Sequence, residues 1–215
     1  MAENDCLPQV HACVIRVTAL AADGGPLPGD DTMYVSDALT KLTLKPVYTD
    51  GDEIEEKNAC GTVGVNYKGD DTFKRCDIDL ELLTPDPYLH TLLASGGELL
   101  TANGGVGFAY PPLGAVTGNG VSIELWAKRI DDGSLDATNP YAWWVLPRIK
   151  NLRLGDREFS ATAQKSPFVG QALENDFWYD GPLNDFDAAS DRVAQWIPTD
   201  TLPTPTCGYV ELVAS

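Results

Sequence analysis

Histidine is almost missing from this chain, with only His11 and His90 among 215 residues. That scarcity closes most routes to catalysis at neutral pH, because histidine is the commonest general base and a frequent metal ligand. His11-Ala12-Cys13 offers at most two donors at strand spacing, whereas zinc needs three or four. His90 sits beside Leu89 and reads as a partly buried surface histidine. A G-x-S-x-G elbow, a Walker sequence and H-E-x-x-H are missing too. Gly104-Gly105-Val106-Gly107 has neither the preceding strand nor the following helix of a nucleotide loop. A glycosidase needs only two carboxylates, but with 32 acids any pair can be drawn. No catalytic residue, cofactor or metal is expected.

Basic residues are also few. Fifteen Lys and Arg face 32 Asp and Glu, a formal charge of −17. A nucleic-acid binder neutralises phosphates with cations, so the chain as a whole should repel DNA, RNA and anionic membranes. No apolar run approaches the ~20 residues of a membrane span. Met1-Ala2-Glu3-Asn4-Asp5 lacks the positive and apolar parts of a signal peptide. Cys6, Cys13, Cys60, Cys76 and Cys207 are odd in number and show no C-x-x-C spacing. This argues against a disulfide framework or a zinc site and fits a reducing cytosol, with the cysteines as small core hydrophobes.

What the chain does contain is strand pattern. Its 20 Gly and 15 Pro are spread as punctuation between short alternating segments. Strands are expected over His11–Leu20, Tyr34–Tyr48, Thr62–Lys68, Phe73–Leu83, Val121–Ile130, Tyr141–Leu154, Arg157–Gln164 and Val169–Trp178. The clearest is Asp77-Ile78-Asp79-Leu80-Glu81-Leu82, whose acidic row should face water while the aliphatic row is buried. One helix is expected, with Thr84 as N-cap, Pro85 at its first position and Gly96-Gly97 ending it. The region Leu99–Gly120 reads as a Gly-rich loop with one strand near Val106–Tyr110. Asp50–Asn58 reads as a polar loop. Together these describe one mainly β domain over residues 1–215, a two-sheet β-sandwich or incomplete barrel flanked by one short α-helix. An extended N-terminal arm (about 1–9) and an extended, weakly structured C-terminal tail (about 181–215) complete it. Trp143, Trp144, Trp178 and Tyr179 can be read as a sugar platform, or as core and subunit contacts with Trp144 inward and Trp143 outward.

Several segments in order carry a family resemblance. They are Val35-Ser36-Asp37, the acidic loop ending in Asn58-Ala59-Cys60-Gly61, the strand Asp77–Leu82 and the Pro85-Asp86-Pro87 helix. Glu174-Asn175-Asp176-Phe177-Trp178-Tyr179-Asp180-Gly181-Pro182 and Pro203–Leu212 follow. The chain resembles the major tail (tail tube) proteins of long non-contractile-tailed bacteriophages, especially those of actinobacteria. The resemblance implies a virion structural protein without enzymatic activity, assembled in the host cytoplasm as hexameric rings stacked into a tube. Its partners would be itself, the tape measure and the tail terminator, with DNA passing through without specific binding and no membrane involved. Four strands per subunit would enclose a bore roughly 40 Å across.

By strand order, the lining hairpins implied are Val35–Tyr48 with Thr62–Lys68 and Trp143–Leu154 with Arg157–Gln164. Lys41, Thr43, Lys45, Thr62, Asn66, Lys68, Arg148 and Lys150 would then line the lumen. The row Asp77, Asp79, Glu81 would lie in the outer sheet. Asp50, Gly51, Asp52, Glu53, Ile54, Glu55, Glu56 and Lys57 would form an inter-ring assembly loop, anchored by Ile54. The basic residues of the proposed lining require acidic partners from neighbouring subunits, or else a face assignment one residue out. A head–tail joining or tail-terminator protein and a carbohydrate-binding β-sandwich are the alternatives.

Overall fold

The computed structural model describes residues 7–83, 86–94, 96–116, 118–158, 163–177 and 192–212. β1 (Gln9–Ala19) bulges near His11, whose φ is 51°, and then pairs antiparallel with β2 (Gly29–Ser36). At Ser36 the side-chain oxygen accepts from the Ala38 N–H at 3.0 Å. That turn separates β2 from β3 (Leu39–Thr49), so the single strand expected over Tyr34–Tyr48 is two. There follow β4 (Glu53–Lys57), β5 (Val63–Lys68), β6 (Thr72–Leu82), α1 (Pro87–Leu93), β7 (Glu98–Ala102) and β8 (Gly105–Ala109). The chain continues with β9 (Val121–Asp131), β10 (Ser134–Leu135), β11 (Tyr141–Leu154), β12 (Ser166–Leu173), β13 (Gln195–Thr199) and β14 (Val210–Leu212).

Ten strands make one antiparallel sheet in the order β14-β2-β1-β9-β11-β12-β6-β3, with β10 on β9 and β13 on β11. β11 is the pivot. Its first half, Tyr141–Leu146, pairs with β9 and β13, and its second half, from Arg148, pairs with β12. Pro147 lies between the halves, where the register with β9 shifts, and a proline has no N–H to give a ladder. The sheet folds there into two layers, and its two edges stay unjoined. The mainly β sandwich or incomplete barrel with one short helix is therefore the fold.

Between the layers, Ile15, Val17, Ile123 and Leu146 meet Ile78, Leu80, Leu82, Ile149 and Phe168, while Leu89 and Leu93 of α1 close one side. Each such side chain contributes about 1.5–3 kcal/mol by leaving water. The bend has its own fastening. Asn175 is buried, and its amide donates to the Gly24 carbonyl at 2.8 Å and the Pro147 carbonyl at 2.9 Å.

Several expectations need correction. The N-cap of α1 is Asp86, whose carboxylate accepts from the N–H groups of Tyr88 (2.9 Å) and Leu89 (3.3 Å), with Pro87 first in the helix. Cap and proline are thus two residues further on than expected, and Thr84 and Pro85 lie outside the described residues. The partner of β11 is β12, not Arg157–Gln164; Arg157 lies in irregular chain and 159–162 lie outside the described residues. The strand expected over Val169–Trp178 begins at Ser166 and ends at Leu173.

The C-terminal tail, where described, is paired and not weakly structured. β13 pairs with β11 and β14 with β2, and Leu202 and Val210 pack on a second cluster of Val14, Val35, Trp126 and Trp143. Of the cysteines, Cys76 is buried and Cys13 half-buried, but Cys60 and Cys207 are exposed, so the core reading fails for those two. Residues 1–6 of the expected N-terminal arm and 181–191 and 213–215 of the tail lie outside the described residues.

Candidate functional site

Cross-strand register assembles a charged face on the second layer. Opposed residues of antiparallel neighbours share a face. Lys45 opposes Asp77, Asp77 opposes Gln171, and Gln171 opposes Lys150. The next row runs Thr43, Asp79, Val169, Arg153, and the third runs Lys41, Glu81, Pro167. Arg148 opposes Leu173 at the end of the face. The other side of β6 and β12 is buried: Ile78, Leu80, Phe168 and Ala172 belong to the core. An open depression of about 590 Å³ lies across this face, lined by Lys45, Arg75, Asp77, Asp79, Arg153 and Gln171.

The acidic row does not lie in an opposite sheet. It stands beside the lysines of β3, and its acids are paired within the chain. Lys45 bonds Asp79, Arg75 bonds Asp77 at 2.8 Å, and Lys165 bonds Glu81 at 2.8 Å. Hydrogen bonding from Lys165 is the main reason the Glu81 carboxyl is held below its ordinary pKa, with Thr40 and the Lys41 charge adding to it. Asp77 correspondingly raises the pKa of Arg75 by hydrogen bonding and charge. The acids that the basic residues were expected to find on neighbouring subunits are therefore partly their own chain's.

Five of the expected lining residues, Lys41, Thr43, Lys45, Arg148 and Lys150, come together on this face. Thr62, Asn66 and Lys68 do not. Val63–Lys68 pairs with β4, not with β3, whose real neighbour is β6. Arg75 and Lys165 were missed as members of the site. Arg75 continues the alternation of Asp77 and Asp79 one step back, which was the available signal.

β4 and β5 form a separate two-stranded ribbon, so the expected polar loop is a β-arm. Every residue of both strands is exposed. The arm grows out of the β3–β6 hairpin through a tight neck. A Cβ on Gly51 would lie 2.1 Å from the Gly69 carbonyl oxygen, so the two backbones touch where only glycine fits. Gly69 N–H donates to the Asp52 carbonyl at 2.8 Å, and Gly51 N–H donates to the Asp71 carboxylate at 3.0 Å. The latter bond, aided by Lys68, lowers the Asp71 pKa. At the tip, the Asn58 side-chain oxygen accepts from the N–H groups of Cys60 and Thr62, each at 3.0 Å.

Register sorts the arm into two faces. Ile54 opposes Tyr67 and Glu56 opposes Val65, while Glu53 opposes Lys68 and Glu55 opposes Asn66. Ile54 is 50% exposed and Tyr67 60%, and Val63 and Val65 are nearly as open. Tyr48 and Phe73 meet edge to face at the base, 5.7 Å apart.

Among the described residues, the tryptophans are occupied within the chain. Trp143 is buried, stacked on Trp126 at 5.7 Å, and donates its indole N–H to Glu124 at 3.0 Å. Glu124 is gripped by two Arg16 nitrogens at 2.6 Å each, and Arg16 lies over the Trp126 ring. Trp144 is half-buried against Trp196 and donates to Gln9 at 2.8 Å. The inward and outward assignment of the pair was thus reversed, and Trp178 and Tyr179 lie outside the described residues. His90 is 2% exposed and not a surface residue.

Among the described residues, no helix is long and apolar enough to cross a membrane. No protein-family model and no curated protein sequence matches the chain. Among solved structures, it is similar to a chain of an extracellular contractile injection system, a PVC sheath-tube complex in its extended state solved by cryo-electron microscopy. The identity is 12%, the TM-score 0.32, and the match spans 79% of this chain and 88% of that one.

Proposed function

We propose that this chain is a self-assembling structural subunit of a tail tube. In this reading hexameric rings stack into a virion tail, and the face of β3, β6, β12 and β11 lines the bore through which DNA passes. The arm, residues 50–68, reaches the adjacent ring, and the chain performs no catalysis. Tape measure and tail terminator would be its other partners.

The observation that carries the reading is the arm. A two-stranded ribbon without a core is marginal in water, yet this one holds Ile54, Val63, Val65 and Tyr67 open to solvent. Such a stripe gains stability once a neighbour covers it. The sequence resemblance adds its weight at the same place, since the acidic segment ending at Cys60-Gly61 is one of the features that carries it. The bore assignment rests on the four adjacent strands, which are apolar behind and polar in front.

The neck supplies a clean test. Excising Asp52–Lys68 and joining Gly51 directly to Gly69 removes the arm where the backbones already touch. The shortened protein is expected to keep its fold by circular dichroism and to sediment as a monomer or an isolated ring. Filaments from it would refute the role given to the arm.

A further inference from the structure

The charged face is more basic than its protein. Seven of the chain's 15 cations belong to it: Lys41, Lys45, Arg75, Arg148, Lys150, Arg153 and Lys165. Only three of the 32 acids do, Asp77, Asp79 and Glu81, and each takes one cation. Arg148 turns its head in toward Gly24, with Nε buried; among the described residues, Lys41, Lys150 and Arg153 have no carboxylate within ion-pair distance. Lys150 and Arg153 both lie on β11, on opposite sides of the register shift that puts them in successive rows of the face. Beside them, Asn151 and Gln171 bond to each other at 2.9 Å and add neutral amides to the strip.

The partner follows from the chemistry of this surface. Protein interfaces are anchored by large side chains set in pockets, and no aromatic residue lies on these rows. Spaced cations and amides along an open, shallow sheet face suit the phosphates of a nucleic acid, contacted without reading bases. The overall charge of −17 opposes approach from a distance. At about 0.1 M salt the Debye length is only ~10 Å, so that repulsion is screened while direct contacts persist.

We infer that Lys41, Lys150 and Arg153 form a phosphate rail, which holds a passing nucleic-acid backbone weakly, without sequence preference and in a salt-dependent way. The inference rests on the tube reading for the face being open to a bore. It also revises the expectation of a wall that merely repels DNA.

Three phosphate contacts give a slope of about −2.7 for log affinity against log salt, a loss of about 40-fold between ~50 and ~200 mM. The experiment is fluorescence anisotropy of a labelled mixed-sequence duplex with unassembled full-length protein across that range. Lys150→Gln with Arg153→Gln should cut the loss to about 4-fold and weaken binding at every salt concentration. Lys74→Gln with Lys128→Gln changes the net charge equally at positions off the face and should leave the slope unchanged. Circular dichroism checks that each variant is folded.

No binding by folded wild type at the lowest salt would overturn the rail. So would equal weakening in the off-face pair, or tighter binding of an acidic peptide than of duplex of equal charge. Tubes that form normally from a protein that does not bind duplex would sink the rail alone. Salt-dependent binding by a protein that never assembles would sink the tube reading instead.

Discussion

The β4–β5 and β7–β8 ribbons are built alike, with five or six residues in each strand and no pairing to the main sheet. Their attachment differs. Phe108 of β8 packs on the main core, with its ring 5.2 Å from that of His90, and so close to Gly97 that a Cβ there would lie 2.3 Å from it. The arm has no equivalent. Its large apolar residues face solvent, and only a glycine neck joins it to the base. One inward aromatic makes a ribbon part of the domain, and its lack leaves a ribbon with its apolar stripe open to solvent.

The largest expected effect is on the fastened ribbon. Phe108→Ala removes its anchor and should cost about 2–3 kcal/mol of unfolding free energy, somewhat below a fully buried phenylalanine. Urea denaturation measures this, and an unchanged midpoint would erase the distinction between the ribbons.

A smaller loss is expected from acid. His90 is enclosed by Phe108 and Phe168, with its Nδ1 2.8 Å from the Asp86 carbonyl and, among the described residues, no partner at its Nε2. Burial lowers its pKa, and the charge of Arg157 lowers it further, against the opposing pull of Asp86. A folded-state pKa below the unfolded ~6.5 means that the unfolded chain binds the proton more readily. Stability from this site is complete above about pH 6.5 and declines as pH falls toward the depressed value. Melting temperatures of wild type and His90→Gln at pH 7.5 and about 5.5 should show a fall in the wild type that the variant lacks. Glu81 and Asp71, both with lowered pKa values, stay charged over that interval.

The smallest effect on stability belongs to the arm. Ile54→Ser with Tyr67→Ser should change unfolding free energy by no more than about 0.5 kcal/mol, as expected of exposed positions. The same variant should lose self-association in sedimentation velocity. A large stability change with intact assembly would invert the comparison.

How much of this was legible followed from the range of each signal. The alternation in Asp77–Leu82 is local, so the buried and wet faces of β6 came out correctly, and the strand expected over Val121–Ile130 is β9. Which strands are neighbours is not local. The acids of β6 and the lysines of β3 were placed in different sheets because a period of two assigns a face within a strand but names no partner.

The Asn103-Gly104 turn, with φ of 52° and 76°, is a primed-turn hairpin signature that the glycine-rich composition around it obscured. Asn58 closing the arm's tip was similarly hidden, since a polar stretch of acids looks like a loop until its partner strand is known. The Arg16–Glu124 pair, with Glu124 fully buried, had no signal, because its members lie 108 residues apart.

The central claim is that this subunit is incomplete alone and completes itself with copies. Negative-stain electron microscopy of the purified full-length protein over rising concentration tests it most directly. The account predicts hollow filaments of stacked rings. A protein that stays monomeric at high concentration, or halts at single rings, would contradict it.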